Sequence, residues 1–152
     1  MEKYYYSYDE FLKDSVALSK RVEEFDADTL LAVARGGLTL GHFMAQILDT
    51  RRLFSLNSIL YEKEKRRESI EIFNIPDLES AKRVLIIDDI VDSGQTLKEI
   101  VAILEENYPH CEFRLATIFY KPTAVIRADY ALKEAKAWID FFWEVDPFRI
   151  EG

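Results

Sequence analysis

The sequence predicts an α/β domain: a central, mostly parallel sheet flanked by helices. Three observations carry that reading. Residues 30–34 (LLAVA) and 84–87 (VLII) are unbroken aliphatic runs, as strands buried on both faces of a parallel sheet require. Each run opens into a short polar or glycine-rich turn and then into a segment with helical apolar spacing. A third run, 112–120 (EFRLATIFY), repeats the strand pattern farther along the chain.

Taken in order, Tyr4 to Tyr8 read as an aromatic lead-in packed along an edge of the core. Phe11, Leu12, Val16, Leu18, Val22 and Phe25 mark an amphipathic helix, with Asp9 near its start. The strand 30–34 runs into Arg35-Gly36-Gly37, and 38–48 reads as a helix despite Gly41. Residues 52–61 and 70–75 read as strands, the second stopped by Pro76. Between them 62–68 (EKEKRRE) places seven charges in succession. After 84–87 come Asp88, Asp89, Ile90, Val91 and the small polar run 92–96 (DSGQT). Leu97, Ile100, Val101 and Leu104 then share one helical face. Strand 112–120 leads into Lys121-Pro122, and the aromatic segment 137–144 (AWIDFFWE) lies near the end. No repeat or linker interrupts the pattern, so residues 1–152 read as one domain.

The stretch 84–97 holds the chemistry. A strand ending in two carboxylates, a tight loop and the start of a helix make an anion site, because free amides and the positive end of the helix dipole meet there. Ser93 and Thr96 add hydroxyl donors, and Gly94 lets the backbone close around a phosphate. Asp92 or Ser93 alone could be a helix cap. A cap needs one residue, however, and here three acids accompany a hydroxyl loop. A phosphorylated-aspartate receiver or a phosphatase also uses strand-end aspartates, but neither needs a Ser-Gly-x-Thr helix start directly downstream. Arg35-Gly36-Gly37 by itself is a plain tight turn. After a buried strand, exposed amides beside an arginine can also hold a diphosphate.

Composition sets the bounds. A net charge of −8 argues against general nucleic-acid binding, which calls for a basic surface. No apolar run approaches the roughly 18–20 residues of a membrane span, so no integral membrane association is expected. The start of the chain lacks a basic region followed by an apolar one, and Cys111 is the sole cysteine, so cytoplasmic is the expected location. His42, His110 and Cys111 show no metal-ligand spacing.

IIDDIVDSGQT resembles the phosphoribosyl-pyrophosphate (PRPP) motif of the type I phosphoribosyltransferases: aliphatics, two acids, two aliphatics, Asp, a small hydroxyl residue, Gly, a variable position and Thr. The Asp-Asp pair is more similar to the short bacterial xanthine-guanine enzymes than Glu-Asp would be. The resemblance implies the family fold, with 62–68 as a flexible hood loop between two antiparallel strands. It assigns PRPP to Arg35, Gly36, Arg67, Asp88, Asp89, Asp92, Ser93, Gly94, Gln95 and Thr96. Arg35 and Gly36 would hold the pyrophosphate, with a non-proline cis peptide at Ala34–Arg35. Arg67 of the hood would meet it too, with Arg66 adjacent; a solvated charged turn is the other reading of 62–68. Asp88 and Asp89 would face the ribose hydroxyls, Asp89 contributing to Mg²⁺ binding. Asp92 is the implied catalytic residue, handling the N7 proton of the base.

For the purine, the resemblance implies Lys121 donating to O6, Trp138 stacking on the ring and the Ile139 carbonyl reading the 2-position. Residues 137–144 are then the base-reading segment. Trp143-Glu144 matches a downstream Trp-acid pair of that group, whereas Phe142 stands where the group commonly has proline. The implied function is purine salvage, with phosphoribose moving from PRPP to N9 of a 6-oxopurine (guanine, xanthine or hypoxanthine) and release of pyrophosphate. Mg²⁺ is the implied cofactor, and a homodimer or homotetramer the implied assembly. The alternatives are a regulatory protein that binds PRPP without turnover, and an enzyme for another nucleobase.

Overall fold

In the computed structural model residues 2–63 and 67–149 are described, apart from the side chains of residues 62, 63, 67, 68 and 149. The elements run β1 (Lys3–Tyr6), α1 (Tyr8–Val22), β2 (Thr29–Ala34), α2 (Leu38–Ile47), β3 (Leu53–Lys63), β4 (Arg67–Phe73), β5 (Arg83–Val91), α3 (Gln95–Asn107), β6 (Glu112–Tyr120), β7 (Tyr130–Glu134) and β8 (Trp138–Phe141). Among the described residues, six strands form the main sheet in the order β4-β3-β2-β5-β6-β7. All its neighbours are parallel except the antiparallel β3–β4 pair. The α/β expectation holds.

The aliphatic runs are continuous because both faces of the sheet are dry. Leu30, Leu85 and Ile87 join one apolar cluster, whereas Leu31, Val33, Val84 and Ile86 join the other. Successive strand residues point to opposite faces, so each face takes every second side chain. α1 and α2 cover the first face with Phe11, Leu18, Leu40 and Met44, and α3 covers the second with Leu97, Ile100 and Leu104.

Several boundaries differ from the sequence expectations. Helix α1 is capped by Ser7, whose Oγ accepts the Glu10 N–H at 3.2 Å; Asp9 is a first-turn acid, favourable at the positive end of the dipole. The aromatic lead-in contains β1, which pairs in parallel with β8 as a separate two-stranded sheet. Three consecutive tyrosines hide the period of two that would have announced a strand. Strand β4 begins at Arg67 and ends at Phe73, where Asn74 turns the chain with φ 59°. The β3–β4 ladder extends to Lys63↔Arg67, so residues 62, 63, 67 and 68 of the charged run lie in strand backbone. The hood assignment, resting on 64–66 and on the Arg67 side chain, lies outside the described residues.

The main correction is β5. It continues to Val91, so Asp88 and Asp89 sit inside the strand and not at its end. An equally long β6 supplies the rungs, with Ile90↔Phe119 and Val91↔Tyr120. Strict alternation would send Val91 to the face of Leu85 and Ile87, yet it lies in the opposite cluster while Ile90 packs on the first. The pleat therefore changes phase across the two aspartates.

Candidate active site

From β2 the chain passes outward to β3 and β4 on one side, and from β5 to β6 and β7 on the other. The order reverses between β2 and β5, and in such sheets the crevice at the strands' C-terminal ends is where ligands bind. Arg35-Gly36-Gly37 leaves β2 there, and Asp92-Ser93-Gly94 leaves β5 beside it. The peptide Ala34–Arg35 is cis, as the sequence resemblance implies.

The two exits touch at Gly36. A methyl group there would sit 2.7 Å from Asp89 Oδ2 and 2.9 Å from its Cγ, so only glycine admits the carboxylate this close to the loop. Asp88 lies beside it, its Oδ1 accepting the Asp89 N–H at 2.8 Å. Burial, followed by the neighbouring Asp89 charge, pushes Asp88 well above the usual carboxylate range. Burial also raises Asp89, against hydrogen bonds that favour its charged form. Glu144 is raised by partial burial, then by the charges of Asp89 and Asp140. This corner is a concentration of poorly compensated carboxylate.

The 92–96 loop is built from both sides. Gly94 has φ 81°, a left-handed conformation that favours glycine, and it precedes the first turn of α3. Ser93 Oγ accepts the Gln95 N–H at 3.3 Å. The loop after β6 closes against it: Val125 N–H donates to the Ser93 carbonyl at 2.9 Å, and a Cβ on Gly94 would meet Ile126 Cγ2 at 2.8 Å. Thr96 is half-buried in the first turn of α3, while Ser93 and Gln95 are exposed.

Asp92, Lys121, Trp138, Ile139, Asp89 and Glu144 border a crevice of about 130 Å³. Lys121 leaves β6, its N–H bonded to the Val91 carbonyl at 2.9 Å, and its Nζ lies 2.6 Å from Asp92 Oδ1. Trp138 is 56% exposed, whereas its neighbour Ile139 is buried. A larger cavity, about 410 Å³, lies along the loop after β6 and contains none of Asp88, Asp89 or Asp92. The smaller crevice is the candidate site, because the acids, the ammonium and the exposed indole converge there.

A family model for the phosphoribosyl transferase domain matches residues 10–151. The chain belongs to the phosphoribosyltransferase family. It is 30% identical to a xanthine-guanine phosphoribosyltransferase of Ruegeria sp., over 96% of this chain and 90% of that protein. Among solved structures it is similar to a xanthine-guanine-hypoxanthine phosphoribosyltransferase of Helicobacter pylori, with 41% identity, TM-score 0.88 and 95% of each chain covered. A purine phosphoribosyltransferase of Pyrococcus horikoshii matches with 29% identity, TM-score 0.83 and full coverage of both chains.

Within this phosphoribosyltransferase the structure brings Asp89, Asp92, Lys121, Trp138 and Ile139 to one crevice, with Gly36 against Asp89 and the 93–96 loop adjoining. Asp88 does not border the crevice; it faces the Asp89 amide instead. Sequence reading missed three contributors. Glu144 stands out in sequence only as part of a Trp-acid pair, and its closeness to Asp89 is set by tertiary folding. Val125 and Ile126 carry no motif, though the glycine they cover was a clue. Phe142, at the family's proline position, donates its N–H to the Tyr6 carbonyl at 3.0 Å, a bond proline lacks the hydrogen to make.

Proposed function

We propose that this chain transfers phosphoribose from PRPP to N9 of a 6-oxopurine, releasing pyrophosphate and the nucleoside monophosphate. The observation that carries this reading is the Lys121–Asp92 pair beside Trp138, 2.6 Å apart in the crevice. On a 6-oxopurine, O6 and an N7–H lie side by side on one edge. A lysine donor next to a carboxylate acceptor complements that edge in one orientation. Adenine would present an amino group to the ammonium, donor against donor. The exposed Trp138 indole supplies a stacking face.

The residues then divide the work. Arg35 and the amides around Gly36 hold the pyrophosphate of PRPP, and Ser93, Gly94, Gln95, Thr96 and the α3 N-terminus hold the 5′-phosphate. Asp89 accepts the ribose hydroxyls, and Asp88 behind it holds its backbone N–H. As N9 bonds to C1′, the C1′–oxygen bond to pyrophosphate breaks through an oxocarbenium-like state. Asp92 takes the N7 proton in the same step. Arg67 remains the proposed hood contact to pyrophosphate.

Mg²⁺ fits this donor set. Among the described residues no group of three or more His, Cys, Asp or Glu side chains could hold an ion alone. Mg²⁺ is commonly held by one or two carboxylates together with substrate phosphates. Asp89 would hold it, in part through water, and the ion would neutralise charge on the leaving pyrophosphate. Among the described residues no helix is long and apolar enough to cross a membrane. The free thiol of Cys111 accords with the proposed cytoplasmic location. A homodimer or homotetramer is the proposed assembly, which sedimentation velocity would test.

Steady-state assays with PRPP and guanine, xanthine, hypoxanthine, adenine or uracil test the assignment. Discrimination against adenine should be about several hundred-fold or more, as in sites built around one polar contact. Lys121→Gln should narrow that gap, chiefly by losing guanine and xanthine activity, since an amide can turn its carbonyl toward an amino group. Equal use of adenine and guanine by the unaltered protein would remove the 6-oxopurine reading.

A further inference from the structure

We propose that the N-terminal strand β1 belongs to the base-binding apparatus, with Tyr6 as the positioning residue that sets the height of the Trp138–Ile139 platform. The inference rests on the base-reading role given to β8 above. Among the described residues β8 has no rung to the main sheet; its strand partner is β1, through Lys3↔Trp138, Tyr4↔Ile139, Tyr5↔Asp140 and Tyr6↔Phe141. Two further bonds close the ends of the pair. Trp138 N–H donates to the Glu2 carbonyl at 3.3 Å, and Phe142 N–H to the Tyr6 carbonyl at 3.0 Å. Where the indole stands over the crevice therefore depends on where β1 is anchored.

Tyr6 is that anchor. Its ring is fully buried, edge-on to Phe119 and Phe141 with centroids 5.0 and 5.8 Å away. Its hydroxyl donates to Asp14 Oδ2 on α1 at 2.6 Å. Asp14 in turn pairs with Lys133 Nζ on β7 at 2.9 Å, and that ammonium lies 5.7 Å from the Tyr6 ring centroid. One phenol thus ties β1 to a helix and to the outermost strand of the main sheet. Tyr4 adds a second link, its hydroxyl donating to Glu10, which Lys133 also approaches at 3.6 Å.

A residue needed only to fill the core would require the ring alone. The hydroxyl adds directional information. Slipping β1 by one residue would turn buried Tyr6 outward and bring Tyr5, now 60% exposed, inward. In that register Tyr5 would stand in for Tyr6 at Asp14, but Lys3 would replace Tyr4 opposite Glu10, so the two hydroxyl bonds hold together only in the present register. The Tyr6–Asp14 and Tyr4–Glu10 bonds together therefore select the β1 register, with Tyr6 as its buried member, and the β1–β8 rungs pass that choice to Trp138. Arg35, the 93–96 loop and Asp89 are held by β2, β5 and α3, outside this chain of contacts.

The test compares Tyr6→Phe and Asp14→Asn with Trp138→Ala, reading kcat, the KM for guanine, the KM for PRPP and the thermal midpoint. Both anchor variants should raise the guanine KM by about tenfold, the scale of one charge-assisted hydrogen bond. Their PRPP KM should stay within about twofold, because uniform loosening of the fold would move both constants together. Either variant suffices should the other fail to fold. An unchanged guanine KM, or equal rises in both constants, overturns the positioning role. A Trp138→Ala protein with normal guanine KM would overturn the base-reading role and the proposal with it. Anchor variants that are silent while Trp138→Ala is impaired overturn this proposal alone.

Discussion

Aspartates lie just before one central strand and within the C-terminal half of another, and live in opposite circumstances. Asp28, just before β2, accepts the backbone N–H groups of Arg83 at 2.8 Å and Lys82 at 3.0 Å, together with the Thr29 hydroxyl at 2.8 Å. Burial alone would raise its pKa; those hydrogen bonds and the nearby Arg52 outweigh it and hold the carboxyl below its usual range. Toward the C-terminal side of β5, Asp88 and Asp89 are half-buried beside one another, and both are pushed up, chiefly by desolvation. Asp28 is complete within the fold and ties β2 to β5. In the proposed mechanism the second pair is complete only when ribose hydroxyls and a cation reach Asp89. One residue type thus stabilises one end of the sheet and destabilises the other, and the second end is the one available for chemistry.

The sharpest break in this comparison is Asp92→Asn. If Asp92 is the N7 proton acceptor, as proposed, its loss should lower kcat by about a hundredfold or more, with PRPP binding changed less. Rapid-quench turnover and PRPP titration would separate the two, and near-normal turnover would sink the role. Next is Gly36→Ala, whose added methyl must displace Asp89. A shift of about 1 Å in such a group can cost up to about a hundredfold in rate, so kcat/KM for PRPP should fall by tens of fold at unchanged thermal midpoint.

Smaller effects probe stability. Asp28→Asn should cost about 1–2 kcal/mol in urea melts at neutral pH, from weakened charge-assisted hydrogen bonds, without altering activity per folded molecule. Its sign with pH follows from the lowered pKa. The stabilisation is full above the unfolded carboxylate value of about 3.9 and is lost as pH falls through the lower folded value. The variant and the unaltered protein should therefore converge in acid. Asp88→Asn should do the reverse: a modest gain in midpoint for the unliganded protein, with activity reduced. Because the folded pKa is raised, ionisation of Asp88 opposes folding. That penalty is full above the raised value and absent below about 3.9, so the gain should vanish in acid. A loss of stability in Asp88→Asn at neutral pH would refute the contrast between the two ends.

The sequence by itself determined the layering and the strand–loop–helix unit at 84–97. Both depend on neighbours in the chain: aliphatic runs at 30–34 and 84–87 declare double-sided burial, and residues 92–96 carry a helix start, a glycine and two hydroxyls within five positions. The boundary it misplaced has a non-local cause, since the length of β5 beyond Ile87 depends on rungs from β6. Tertiary structure alone decided the rest. Lys121 meets Asp92 only because β5 and β6 are adjacent. Lys3 pairs with Trp138 and Tyr6 with Phe141 only after the whole sheet has closed between them. Asp28 and Asp88 carry the same letter, and nothing near either in sequence reveals which will be satisfied. Hydrogen bonds and burial from distant segments set a carboxylate's charge cost, and those partners exist only once the chain has folded.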